Sequence, residues 1–271
     1  AEEASKMGPW VKLAEHLGAF VGQLTSEPIL EVSILYNGAV SKMNLEALNC
    51  AAIAGLMQVT NPDVNMVSAP VIAKERGVKI TTSSQDKSGV FDGYIKLTVK
   101  TAKRERSIAG TVFSDGKPRF IQIKGINIDA EIGQHMLYTT NEDVPGIIGA
   151  LGVTMGENGV NIANFTLGRA DVGGEAIALL YLDDQPPQPA LDALEATQLF
   201  RQIRPERVWK PRLHLDQGSP IASRDRVGRQ PEDGRDVLVR NLLDATQDDD
   251  LPILVIEAIE GRPDALLDLV A

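Results

Sequence analysis

One stretch limits the folds open to this 271-residue chain more than any other: the apolar runs and turns between Met136 and Trp209. Met136-Leu-Tyr-Thr-Thr-Asn141 predicts a strand, and Glu142-Asp-Val-Pro-Gly146 a turn. Ile147, Ile148, Leu151 and Met155 recur at helical spacing and predict a helix over 147–157. Pro145 is placed at the first helical position, where its fixed φ fits and its missing N–H costs nothing. Asn158-Gly159 ends the helix, since both residues tolerate a left-handed conformation. Strands follow over 160–167 and 175–182, joined by the turn Asp171-Val-Gly-Gly174. A proline-rich loop feeds a second helix over about 190–197, and a last strand covers 200–203, extending at most to 208. The order βαββαβ predicts two helices on one face of an antiparallel sheet.

The turn before the first helix carries the chemistry. A helix N-terminus presents unpaired N–H groups and a partial positive charge, so it suits a carboxylate. Asp143 stands beside that terminus, and Asn161 opens the next strand. A carboxylate takes an ammonium group, while free N–H groups and an amide take a carboxylate. Together they complement a free amino acid. The same residues also read as a helix cap and a satisfied turn. From spacing, both readings stay open.

Upstream, Leu13, Leu17, Phe20 and Leu24 predict one helix over 1–25, and residues 30–36 alternate as a strand before an Asn37-Gly38 turn. Asn44 is expected to cap a helix reaching about 58, and a second helix is expected over 65–76. Strands are expected over 78–82, 92–101, 105–114 and 120–124. Lys103, Arg104, Arg106, Lys117, Arg119 and Lys124 lie on these hairpin strands, where they read equally as a phosphate or carboxylate site or as a solvated face.

Asp143-Val-Pro-Gly146, followed after a helix by Gly159-Val-Asn-Ile162, resembles an ACT domain, a small amino-acid-sensing module. Gly125-Ile-Asn, Leu167-Gly-Arg169 and Ala176-Ile-Ala-Leu-Leu-Tyr181 bring the match closer. So do Met7-Gly-Pro-Trp10, Asn49-Cys-Ala-Ala52, Val67-Ser-Ala-Pro-Val-Ile-Ala73 and Ser88-Gly-Val-Phe-Asp-Gly93. Over about residues 1–208 the sequence is similar to the C-terminal, regulatory half of the long form of D-3-phosphoglycerate dehydrogenase.

The resemblance implies an α+β chain of two α/β sandwich domains, the second a ferredoxin-like βαββαβ ACT domain. Residues 1–25 would be the terminal helix of a missing substrate-binding domain, left with an exposed apolar face. Residues 26–133 would form an intervening allosteric substrate-binding domain and 134–209 the ACT domain. A linker is expected over 210–236, and an unassigned α/β tail over 237–271 falls outside the resemblance. The full-length family oxidises 3-phosphoglycerate with NAD in L-serine biosynthesis. The implied effector is L-serine or a related amino acid, its ammonium on Asp143 and its carboxylate on Asn161 and the N–H groups near Gly146. Asn141 would reach the hydroxyl, and Gly146 would permit close backbone approach. A small phosphorylated anion is implied at Lys103, Arg104 and Arg119, although Glu131 stands where some relatives carry arginine. A homo-oligomer with ligand sites at subunit junctions is implied too.

Composition narrows the rest. The formal charge is −10, yet residues 74–124 carry 12 basic and 5 acidic groups. A basic segment in an acidic chain fits a small anion better than nucleic acid, which the whole molecule would repel. No apolar run approaches a membrane span, and the acidic start is unlike a signal peptide. A single cysteine, Cys50, excludes an internal disulfide and fits a reducing cytoplasm. No two of the 24 glycines are spaced as G-x-G, so no dinucleotide fingerprint is present. The three histidines have no metal-ligand spacing. No catalytic residue and no bound cofactor or metal are therefore expected of this chain alone. A free-standing amino-acid-binding module acting on a partner protein is the alternative. An iron–sulfur serine dehydratase, whose domain is also similar, is excluded because one cysteine cannot hold a cluster.

Overall fold

The computed structural model describes residues 2–87 and 89–207, so the expected linker over 210–236 and tail over 237–271 lie outside the described residues. The first layer is a six-stranded sheet made of β1 (Ile29–Gly38), β2 (Lys79–Gln85), β3 (Gly93–Thr101), β4 (Glu105–Val112), β5 (Pro118–Ile123) and β6 (Ile126–Glu131). The spatial order is β2-β1-β3-β4-β5-β6, with β2 parallel to β1 and all other pairs antiparallel. Along β3 the period-2 alternation buries Ile95, Leu97 and Val99.

Helices α1 (Glu2–Leu24), α2 (Leu45–Gln58) and α3 (Ala69–Glu75) accompany this sheet. Asn44 caps α2 as expected, its Oδ1 accepting from the Ala47 N–H at 3.2 Å. The helix expected over 65–76 is shorter. Asn65 Oδ1 accepts from the N–H groups of Val67 and Ser68 at 2.9 and 3.0 Å, so it shapes a local turn instead of a helical one. The strand also runs through Asn37 to Gly38, whose φ of 72° leads into a 3-10 turn over Ala39–Lys42.

The apolar face expected to be exposed on residues 1–25 is covered among the described residues. Leu13, Leu17 and Phe20 of α1 are buried, and α1 packs on α2 with almost no gap. A Cβ added at Gly18 would sit 2.0 Å from the Ala52 carbonyl oxygen, and one at Gly55 would sit 2.1 Å from that of Glu15. The apolar stripe is legible from its spacing, whereas the glycines that let a second helix cover it are not. Each large side chain so buried contributes about 1.5–3 kcal/mol relative to exposure.

A four-stranded antiparallel sheet of β7 (His135–Glu142), β8 (Ile162–Arg169), β9 (Glu175–Leu182) and β10 (Phe200–Arg207) follows in the order β10-β7-β9-β8. Helices α4 (Ile147–Glu157) and α5 (Gln188–Ala196) complete the βαββαβ pattern. Their apolar faces, through Leu151, Met155, Ala190 and Leu194, cover Leu137, Leu180 and Leu182 of the sheet. The opposite face, with Met136, Tyr138, Ile177 and Leu179, belongs to the same core as α1 and α2. Phe20 joins the two sheets, its ring centroid 5.1 Å from Phe120 and 5.5 Å from Tyr138. Burial on both faces explains why 176–180 reads as an unbroken apolar run rather than an alternating one.

His16 of α1 gives this packing a pH signature. Burial, with Lys12 nearby, lowers its pKa to about 4, and its Nδ1 has no hydrogen-bond partner among the described residues. Unfolded, the same imidazole takes its proton near 6.5. Acid therefore favours the unfolded chain, and stability contributed by neutral His16 is lost as pH falls from about 6.5 to about 4. Burial raises the pKa of neighbouring Glu15, which offsets part of this. The readout is thus a difference: His16→Gln should remove about 2–3 kcal/mol of acid-dependent loss relative to wild type, measured by urea unfolding at pH 7 and pH 4.5. Parallel pH profiles for the two proteins would contradict it.

Candidate functional site

The loop between β7 and α4 is built differently from its sequence reading. Pro145 is not the first helical residue. Gly146 is the N-cap, with φ 98°, and α4 begins at Ile147. That φ is what requires glycine here, because a Cβ would meet nothing within 4 Å. This backbone reason for glycine stands beside the ligand-approach role expected of Gly146. Among the described residues no side chain is bonded to this helix start, and the first helical bond runs from the Ala150 N–H to the Gly146 carbonyl at 2.9 Å. The N–H groups of 147–149 are left without intrahelical partners, a favourable place for a carboxylate.

Asp143 lies beside this terminus and is fastened to the turn between β8 and β9. Its N–H donates to the Gly174 carbonyl at 2.9 Å. Its Oδ2 accepts from the Gly173 N–H at 3.1 Å and from Arg169 Nη1 at 2.9 Å. The Gly173 amide and the Arg169 guanidinium hold its carboxyl below the usual range, so it stays ionised. Asn141 is buried under the loop. Its Nδ2 donates to the Glu142 carbonyl at 2.6 Å, and its Oδ1 is buried without a hydrogen-bond partner among the described residues. Glu142 in turn pairs with Arg201 of β10.

Asn161 is not part of this cluster within one chain. The register pairs Arg169 with Ala176 and Ile162 with Leu182, so Asn161 lies at the far end of β8. Seven strand residues separate the two ends, about 23 Å. There Asn161 Nδ2 donates to Asp183 Oδ2 at 2.7 Å.

The basic residues of the first sheet are dispersed as well. Lys103 and Arg104 sit in the β3–β4 turn, whereas Arg119 pairs with Thr111 towards the other end of β4. Those ends lie about 20 Å apart. Arg119 is already matched: its guanidinium meets Asp129 at 3.3 Å and Glu131 at 3.1 Å, and lies over the Phe113 ring at 4.7 Å. Arg104 and Arg106 approach Glu27 at 3.8 and 3.6 Å, and Lys124 pairs with Glu175. Glu131, read from sequence as a departure, neutralises Arg119. The anion site expected at Lys103, Arg104 and Arg119 is not assembled within this chain.

Arg169 and Gly173 were missed as site residues. Arg169 was noted only within Leu167-Gly-Arg169, and nothing in a linear sequence places it against a carboxylate 26 residues earlier. Among the described residues no group of His, Cys, Asp and Glu could hold a metal, and no helix is long and apolar enough to cross a membrane.

Comparison with known proteins agrees with this architecture. Residues 6–124 match the D-3-phosphoglycerate dehydrogenase intervening domain, so the helix expected to belong to a neighbouring domain falls largely within that match. The chain is 31% identical over 183 residues to D-3-phosphoglycerate dehydrogenase of Bacillus subtilis, covering 67% of this chain and 35% of that protein. The Synechocystis protein of the same name is 35% identical over 191 residues, covering 70% of this chain and 34% of the relative. That of Methanocaldococcus jannaschii is 30% identical over 195 residues, covering 72% and 37%. The chain spans about a third of the length of these curated relatives. The chain therefore belongs to the D-3-phosphoglycerate dehydrogenase family, corresponding to the C-terminal part of those proteins.

Proposed function

We propose that this chain is the effector-binding portion of a D-3-phosphoglycerate dehydrogenase, an NAD-dependent enzyme of L-serine biosynthesis, and that its βαββαβ domain binds L-serine. The observation that carries the reading is an ionised Asp143 beside an uncapped helix N-terminus. An ammonium group fits the first, and a carboxylate fits the free N–H groups of the second. The two are separated by three residues, so one small zwitterion spans them.

The site is shared between two copies in this reading. Strand β8 is the last strand of its sheet, and its outer backbone groups are unpaired in the sheet order. Antiparallel pairing of two β8 strands sets residue 161 of one copy at the Arg169 end of the other, where Asp143 lies. Val144, Ile148, Leu167 and Val172 are exposed apolar residues around that end. A second copy would bury them and add the amide of Asn161 to the carboxylate subsite.

Isothermal titration with L-serine tests the proposal. The wild-type chain should bind, and Asp143→Ala should lose about ten- to hundredfold in affinity, the worth of one charged hydrogen-bonded anchor. No heat with the wild type, or unchanged affinity in the variant, would overturn it.

A further inference from the structure

The two contacts on Asp143 Oδ2 differ in kind. One comes from backbone: the Gly173 N–H sits in a turn closed by the Gly174 N–H on the Asp171 carbonyl at 3.0 Å and the Ala170 N–H on the Glu175 carbonyl at 2.9 Å. The other comes from the end of a long, flexible side chain. Arg169 is 53% exposed, whereas Asp143 is 20% exposed. The Gly173 N–H on Oδ2 and the Asp143 N–H on the Gly174 carbonyl do not involve the guanidinium, so its loss should leave the loop in place. The guanidinium supplies the same service that a ligand's ammonium would, a cation against one carboxylate.

We propose that Arg169 is an internal competitor of the ligand's ammonium group: its guanidinium holds Asp143 until a free amino acid displaces it. The inference rests on the reading of Asp143 as an amino-acid anchor. Residue 169 then sets the concentration at which the site responds. Because Arg169 lies half in water, its pairing is screened and its departure costs little. Once displaced it hydrates without moving β8, whose Thr166 is tied to the Asp129 carbonyl at 3.0 Å. A contact between Arg169 and the ligand's carboxylate would act with the opposite sign, since removing the arginine would then weaken binding.

The test is titration of the full chain with L-serine in wild type, Arg169→Gln and Arg169→Lys, with folding checked by circular dichroism. Arg169→Gln should bind roughly two- to fivefold more tightly, the scale of an exposed ion pair, and Arg169→Lys should stay near wild type because it still competes. Arg169→Met replaces the glutamine variant if that variant folds poorly. Tighter binding by Arg169→Gln than by the wild type supports the inference. Equal or weaker binding by Arg169→Gln beside a wild type that binds overturns it and leaves the Asp143 reading standing. Absence of binding in every variant overturns the Asp143 reading and the competitor with it.

Discussion

Gly55→Val should lower the stability of the chain by about 3 kcal/mol or more, and its melting temperature by roughly 6–12 °C. Helices α1 and α2 meet backbone to backbone at this position, where an added Cβ would lie 2.1 Å from the Glu15 carbonyl oxygen. The obstacle is main chain, so no rotamer change relieves it. Either the helices separate and Leu13 and Leu17 lose their packing, or α1 detaches. Local propensity works the other way, because valine is a better helix former than glycine. Gly152→Ala of α4 is the control. Nothing lies within 4 Å of a Cβ there, so that substitution should gain up to about 1 kcal/mol from propensity. Thermal unfolding of both variants checks the pair. A neutral Gly55→Val would mean that the close approach of the two helices contributes little.

The same pair of helices shows what the sequence discloses and what it hides. Periodicity located the apolar stripe of α1, because Leu13, Leu17, Phe20 and Leu24 share a helical face. It could not say what covers that stripe, since Gly18 and Gly55 read locally as weak helix formers rather than as contact points. The βαββαβ order was legible for a related reason: α4 and β9 are long, apolar and bounded by clear turn residues. Strand β6 was not. Its hairpin turns on Lys124 and Gly125 with φ 53° and 83°, and a lysine in that region of φ sends no signal of the Asn-Gly kind.

The candidate site was legible in part. Asp143 and the start of α4 are neighbours in sequence, so their juxtaposition could be read directly. Gly146 supplies a positive φ at the N-cap, a backbone reason for glycine that its sequence neighbours did not disclose. Arg169 could not be found, because only the pairing of β8 with β9 carries it to Asp143. The grouping of Lys103 and Arg104 with Arg119 failed because positions near in sequence across two hairpins lie at opposite ends of the strand between them.

Mixing complementary variants tests the proposed amino-acid site, assembled from Asp143 of one copy and Asn161 of another. Light scattering should first show the wild-type chain as a dimer or larger assembly. Asp143→Ala and Asn161→Ala should each lose most L-serine binding, by about ten- to hundredfold. In a two-fold dimer formed from both variants, one site carries both substitutions and the other carries neither. Equilibrated mixing should therefore restore wild-type affinity at roughly a quarter of all sites, with subunit exchange verified by labelled chains. Titration of the mixture reads that number. Tight sites should reappear; an exchanged mixture that binds no better than either variant alone would rule out a site shared between copies.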